Sequence, residues 1–254
     1  EEAAPFLSLD EGCYPFADTA GSIEGYPESA GPQCTKPDAG ICGYTFPSIS
    51  IDDSCTGRPY EIATYESREA AHDVGAVVTH EGGCGVCSST QDLWARIMNY
   101  HTLENATVVC ALSYIFSTFT DTRFESLVNC FVGLGFTLPC STLWAHSAAT
   151  SANLCSADCL ADQGTGLTTL NGPPPACEPQ SCLLCSEIWQ DDFDVLAGRT
   201  LQNSGITERI ARPCNDFARV IHDPCALVDA TPTPSPTETK PEPGGPPMND
   251  RCIN

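Results

Sequence analysis

The sequence has few basic residues: 11 Lys and Arg stand against 33 Asp and Glu, which gives a formal charge of −22 at pH 7. Such a charge repels nucleic acid and anionic membrane, so we expect neither as a partner. The chain also lacks a run of about 18 apolar residues, and we therefore expect no membrane-spanning helix. The excess of acids leaves calcium or a cationic partner open.

Metal-binding spacings are missing as well. The cysteines do not repeat as paired CxxC motifs, the histidines show no HxH, HxxxH or HExxH spacing, and no DxDxDG loop is present. We therefore predict no cofactor and no metal site.

Cysteine, by contrast, is abundant, with 17 residues. Without zinc spacings, so many cysteines are typical of an oxidising compartment, and they predict a secreted or cell-surface protein with about eight disulfides. Because 17 is odd, one cysteine is unpaired or bonds another chain. The chain starts at Glu1 without a signal peptide, which we expect to be a mature N-terminus. The cysteines are Cys13, Cys34, Cys42, Cys55, Cys84, Cys87, Cys110, Cys130, Cys140, Cys155, Cys159, Cys177, Cys182, Cys185, Cys214, Cys225 and Cys252.

Composition divides the chain into three regions and predicts a mainly α, disulfide-rich fold. Residues 1–83 are dense in Gly and Pro, which favours a loop-rich region with short strands at 44–51 and 74–79. Residues 84–225 form a cysteine-rich helical domain, and residues 226–254 form an extended Pro/Thr-rich tail. Disulfides are expected to staple the first region internally, among Cys13, Cys34, Cys42 and Cys55.

The helical domain shows repeated amphipathic periodicity. A further helix is predicted at residues 141–160, and another at 181–199 with Leu184, Ile188 and Val195 on its apolar side. Two apolar faces are expected to pack against each other. The first face comprises Val108, Val109, Leu112, Ile115, Phe116 and Phe119. The second face comprises Phe124, Leu127, Val128, Phe131 and Leu134, and we expect its helix to end at Gly133 and Gly135.

Residues 80–93, HEGGCGVCSSTQDL, are the sharpest motif in the sequence. Ser88 is the predicted N-cap of a helix, with Gln91 as its capping-box partner. A CxxC pair at a helix start fits a redox dithiol, because the helix dipole lowers thiol pKa values. The structural alternative, which we favour, is that Cys84 and Cys87 are both oxidised in structural disulfides and that at least one is buried.

The same motif resembles the nucleophile loop of papain-type cysteine peptidases, since CGVCS at residues 84–88 is similar to CGSCW. By this resemblance Cys87 would be the nucleophile, and His146 or His222 the base. This chain has a serine in place of the aromatic, no Asn-Ser-Trp-Gly segment, and helices where that family's second domain has strands. We therefore lean against an enzyme.

Several short segments between residues 80 and 225 are specific as a combination. They are GCGVCSS at 83–89, QDL at 91–93, NGPPPAC at 171–177, CLLC at 182–185, RPC at 212–214 and HDPC at 222–225. Together they resemble an uncharacterised family of secreted, cysteine-rich proteins of diatoms, brown algae and related protists. The resemblance implies a secreted compartment and a lineage, and it carries no activity.

Two kinds of glycosylation are predicted. The sequon Asn105-Ala-Thr107 is an acceptor for N-linked sugar. Residues 230–247, ATPTPSPTETKPEPGGPP, predict an extended polyproline-like segment that carries O-linked sugar. Its candidate acceptors are Thr231, Thr233, Ser235, Thr237 and Thr239.

These features favour a secreted structural protein, a subunit of a filament, surface appendage or wall layer. The tail would dock on another copy of the chain, and Cys252 would lock it there, so we expect a homo-oligomer or polymer. Two other classes stay open at this point: a thiol oxidoreductase or papain-like cysteine enzyme that uses Cys87, and a secreted module that binds glycan or calcium.

Overall fold

The computed structural model describes residues 39–46, 60–100, 102–116, 122–164 and 180–206. This part of the chain is mainly helical, with a small sheet that precedes the helical core, as predicted. None of the described helices is both long and apolar enough to cross a membrane. The strands are β1 (Ile41–Thr45), β2 (Glu61–Tyr65) and β3 (Val77–Glu81). The helices are α1 (Arg68–Asp73), α2 (Thr90–Met98), α3 (Leu103–Phe116), α4 (Arg123–Gly133), α5 (Leu138–Leu154), α6 (Ser156–Gly164), α7 (Ser181–Ser186), α8 (Gln190–Ala197) and α9 (Thr200–Asn203), with a 3-10 turn at Glu187–Trp189 between α7 and α8.

The three strands form one antiparallel sheet in the order β2-β1-β3. The central strand β1 begins earlier than the strand predicted at residues 44–51, because its pairing with β2 runs from Ile41 to Thr45. Strand β2 and helix α1 were not predicted. Helix α1 begins where the Ser67 hydroxyl accepts from the Ala70 amide at 3.1 Å, and it connects the two outer strands.

The helical core lies between α3, α4, α5 and α8. Phe131 of α4 stacks on Trp144 of α5 with ring centroids 5.9 Å apart, and Trp144 meets Phe193 of α8 edge-on at 4.9 Å. Leu127 and Val128 are buried on the same face of α4. The predicted apolar face of α4 is therefore confirmed, and it packs on α5 as well as on α3.

The predicted apolar face of α3 is wrong. Val109 and Phe116 are 62% and 73% exposed, while the buried residues are Leu103, Cys110 and Tyr114. Helix α3 is apolar on nearly all sides, so its periodicity does not select one face. The disulfide from Cys110 to α4 and the packing of α3 on α4 and α5 turn the opposite face inward.

The predicted helices at residues 141–160 and 181–199 are each interrupted. The first breaks at Cys155, between α5 and α6, and the second breaks at the 3-10 turn. In the second, Leu184 and Ile188 are exposed, and the large buried side chains are Trp189, at the end of the 3-10 turn, and Phe193 of α8. The break changes the register of the buried face, which a continuous periodicity does not anticipate.

Within the described residues, five disulfides connect different parts of the fold and pair every cysteine. The expected internal pairing of the first region is wrong for Cys42, because Cys42 of β1 bonds Cys84. Cys13, Cys34 and Cys55 lie outside the described residues, so their pairing stays a prediction. The paired cysteines are 20 to 53 residues apart in sequence. In the chain-entropy model, closing loops of this length adds about 3–4 kcal/mol to the free energy of unfolding for each disulfide. The bonds are Cys42–Cys84, Cys87–Cys140, Cys110–Cys130, Cys155–Cys185 and Cys159–Cys182.

We predict that Phe131→Ala lowers the free energy of unfolding by about 3–5 kcal/mol, because it leaves a cavity beside Trp144. The neighbouring Val132 is partly exposed, so Val132→Ala is a matched control with an effect within about 0.5 kcal/mol. Urea unfolding of the oxidised protein measures both. Equal losses would show that the core does not lie between α4 and α5.

Candidate functional site

The loop between β3 and α2, residues 82–89, lies where the sheet meets the helices. Cys84 is bonded to Cys42 of β1, and Cys87 is bonded to Cys140 of α5. Both loop cysteines are also buried, so the prediction that they are oxidised in structural disulfides, with at least one of them buried, is confirmed. The CxxC motif is therefore not a dithiol pair, and Cys87 has no thiolate for the redox or peptidase chemistry considered above.

A serine–histidine contact lies inside this loop. The Ser88 hydroxyl oxygen is 2.7 Å from His80 Nε2 and accepts the Gly85 amide hydrogen at 2.8 Å. His80 Nδ1 is 3.1 Å from the carbonyl oxygen of Glu81. A carbonyl only accepts, so Nδ1 carries a hydrogen, and in the neutral ring Nε2 accepts from the Ser88 hydroxyl.

This contact has the polarity of a histidine-activated hydroxyl, but a substrate cannot reach it. Both side chains are fully buried. The backbone of Gly198 lies directly on the hydroxyl, so that even a Cβ at position 198 would overlap Ser88 Oγ. The geometry therefore holds the loop in place and does not form an open catalytic centre.

The same loop is crossed at close range by the end of α8. The Val86 amide donates to the carbonyl oxygen of Leu196 at 2.9 Å. A Cβ on Gly85 would overlap the backbone of residues 196–198, and one on Gly198 would lie 2.6 Å from the Gly85 nitrogen. Gly198 also has φ +88°, a conformation that favours glycine. Two glycines thus permit direct backbone contact between segments more than a hundred residues apart in sequence.

The loop leads into α2, and the helix begins one residue later than predicted. Its N-cap is Ser89, whose hydroxyl accepts from the Asp92 amide at 3.0 Å, and the helix runs from Thr90 to Met98. Ser88, the predicted cap, is already bound to His80. Gln91, its predicted partner, instead donates to the carbonyl of Gly135 at 3.0 Å.

Asp92 is a buried carboxylate that connects α2 to the start of α5. It accepts from the Thr137 amide at 2.7 Å and from the Thr137 hydroxyl at 2.9 Å, and it also accepts from the Ser89 hydroxyl. Burial raises the pKa of Asp92, while the hydrogen bonds from Ser89 and Thr137 and the charge of Arg96, one turn later, oppose that shift. Arg96 is also buried, so α2 carries an acidic and a basic side chain into the interior.

Of the two histidine candidates, the structure describes His146 alone. His146 is buried in α5, with its ring 4.8 Å from that of Phe124. Burial lowers the pKa of His146 to about 3, so it is neutral in the folded protein at neutral pH. His222 and the tail acceptors from Thr231 to Thr239 lie outside the described residues.

The described residues contain no group of three or more His, Cys, Asp or Glu side chains placed to hold a metal ion.

Asn105, the sequon asparagine, is exposed in the first turn of α3. Arg199 has φ +54°, and its side chain lies over Gly82, where a Cβ would meet it at 3.4 Å.

Sequence reasoning missed the polar residues that organise this loop. The capping signal was present as Ser89-x-x-Asp92, a serine with an acid three residues later, beside the competing Ser88-x-x-Gln91. Nothing local signals the His80–Ser88 bond, because it depends on the fold of the intervening turn.

Residues 124–220 match a family of unknown function, DUF8771. The matched segment covers less than half of the chain; it contains Gly198 and leaves out the loop at residues 82–89 that Gly198 contacts. No curated protein and no solved structure matches the chain.

We predict that Gly198→Ala lowers the free energy of unfolding by about 1–2 kcal/mol for its positive φ, and by about 1–3 kcal/mol more for its overlap with Ser88 and Gly85. Gly75 also has a positive φ, but nothing lies within 4 Å of its added Cβ. Gly75→Ala should therefore lower the free energy of unfolding only by the about 1–2 kcal/mol that the positive φ costs. Equal urea midpoints for the two variants would contradict the close crossing.

We also predict a pH dependence that originates at His146. Between the ordinary histidine pKa of 6.5 and the folded value of about 3, the unfolded chain binds a proton that the folded chain does not. This residue's contribution to stability is present above pH 6.5, and falling pH removes it at up to about 1.4 kcal/mol per pH unit.

His146→Asn should remove that slope, and His72→Asn, at an exposed position of α1, should keep it. Urea unfolding at several pH values between 7 and 4 measures the difference. Identical pH dependence in the wild type and His146→Asn would refute the assignment.

Proposed function

We propose that this chain is a secreted structural protein, a subunit of an extracellular assembly. The observation that carries the proposal is the use of cysteine: every described cysteine is in a disulfide, and each of the five disulfides connects separate segments of the fold. Such a framework needs an oxidising compartment, and its benefit is mechanical and thermal resistance.

The described disulfides also reduce the number of candidates for the unpaired cysteine. The five bonds use ten of the 17 cysteines and leave seven, so at least one of the seven has no partner within this chain. A sulfur in that position is suited to a bond with a second chain. The remaining cysteines are Cys13, Cys34, Cys55, Cys177, Cys214, Cys225 and Cys252.

Cys252 is our choice among these seven. It follows the Pro/Thr-rich residues 230–247, and 18 residues in a polyproline conformation span on the order of 55 Å. That length is greater than the diameter of a compact domain of this size. The tail can therefore reach a neighbouring copy, and head-to-tail contacts of this kind build a filament unless the rotation closes.

The buried loop at residues 82–89 supports a structural role over a thiol enzyme. Both of its cysteines are bonded, and its one serine–histidine contact is covered by Gly198. A thiol oxidoreductase or a cysteine peptidase that uses Cys87 would first have to lose the bond to Cys140.

The test is the state of the full-length protein on a non-reducing gel and in sizing chromatography. We expect covalent oligomers that a reductant converts to monomers, and we expect Cys252→Ser to yield the monomer without reductant. A matched control removes both ends of an internal disulfide, as Cys159→Ser with Cys182→Ser, and should keep the oligomers. A wild-type monomer, or oligomers that persist in Cys252→Ser, would refute the proposal in this form.

A further inference from the structure

Helix α3 has an apolar stripe that no described element covers. Val109 and Phe116 are exposed, and Leu112 between them is only partly buried. At about 100° per residue these three side chains and Asn105 fall within about 60° of one another around the helix. The buried side of α3, with Leu103, Cys110 and Tyr114, is centred about 150° away.

The residue at the head of this stripe is the sequon asparagine. Asn105 is exposed in the first turn of α3, and the sequon is completed by Thr107, whose hydroxyl donates to the Leu103 carbonyl at 2.8 Å. The stripe begins at an acceptor for N-linked sugar and continues for three turns as apolar surface. Exposed apolar patches of this kind commonly mark a surface that something covers.

We infer that Asn105 carries an N-linked glycan and that this glycan lies along α3 over Val109, Leu112 and Phe116. From Asn105 to Phe116 the helix rises about 16 Å, a distance that an oligosaccharide of several rings spans. The C–H face of a pyranose ring removes apolar side chains from water, while its hydroxyls remain solvated. The occupant of the stripe is therefore the chain's own sugar.

This arrangement also sets limits on the proposed assembly. A glycosylated α3 is unavailable as a contact between subunits, because a hydrated glycan occupies the face. Contacts between copies then have to use other surfaces, in agreement with a docked tail. The inference rests on the proposed function only for the secretory compartment in which the sugar is added.

The test uses the full-length chain secreted from a eukaryotic host. Peptide N-glycosidase should reduce the mass of the wild type and convert Asn105 to Asp in the peptide map. The matched pair is Thr107→Ser, which keeps the sequon and the hydroxyl, and Thr107→Ala, which removes both. We expect glycan on the first variant and none on the second.

A second measurement tests where the glycan lies. Asn105→Gln should raise the fluorescence of an apolar dye such as ANS roughly twofold or more, because the stripe becomes exposed to solvent. Adding Phe116→Ser to Asn105→Gln should return the signal to the wild-type level. Val132→Ser with Asn105→Gln, a change at a partly exposed site on α4, should leave the raised signal in place.

The outcomes separate the two proposals. A secreted, disulfide-bonded protein with bare Asn105 overturns the glycan inference alone, and so does a glycan whose loss leaves dye binding unchanged. A chain that is recovered with its cysteines reduced overturns the proposed function instead, whatever the state of Asn105.

Discussion

The described structure depends on the close backbone crossing of Gly85 and Gly198. Only two residues without Cβ atoms allow the Val86 amide to reach the Leu196 carbonyl while the Ser88 hydroxyl lies under Gly198. This contact brings the end of α8 against the loop that follows β3. A second hydrogen bond, from Asn203 to the Glu81 carbonyl at 3.1 Å, continues the same junction between helices and sheet.

Two disulfides hold the loop at this crossing, one before Gly85 in sequence and one after it. Cys84 fastens the loop to the sheet through Cys42, and Cys87 fastens it to α5 through Cys140. The buried polar groups between them are satisfied within the protein, because His80, Ser88 and the Gly85 amide bind one another. The serine–histidine contact thus holds the loop at the backbone junction with the end of α8.

Much of the fold follows from local pattern. The mainly helical class, the α4 face with Leu127 and Phe131, and the oxidation of Cys84 and Cys87 in structural disulfides were all predictable. The face of α3 was not, because an apolar sequence on all sides carries no periodicity to read. The helix start at Ser89 was missed because two serines offered similar capping boxes and only the His80 bond excludes the first.

The sequence by itself determined the mainly helical class and the abundance of disulfides, since composition and periodicity are local quantities that do not depend on which segments pack together. Tertiary structure alone decided the partners: Cys42 for Cys84, Cys140 for Cys87, and Gly198 for Gly85. These pairings join residues far apart in the chain, and their geometry exists only after β1, α5 and the end of α8 have packed around the loop. For the same reason the sequence left a reactive Cys87 open as an alternative, and the fold excludes it through the bond to Cys140.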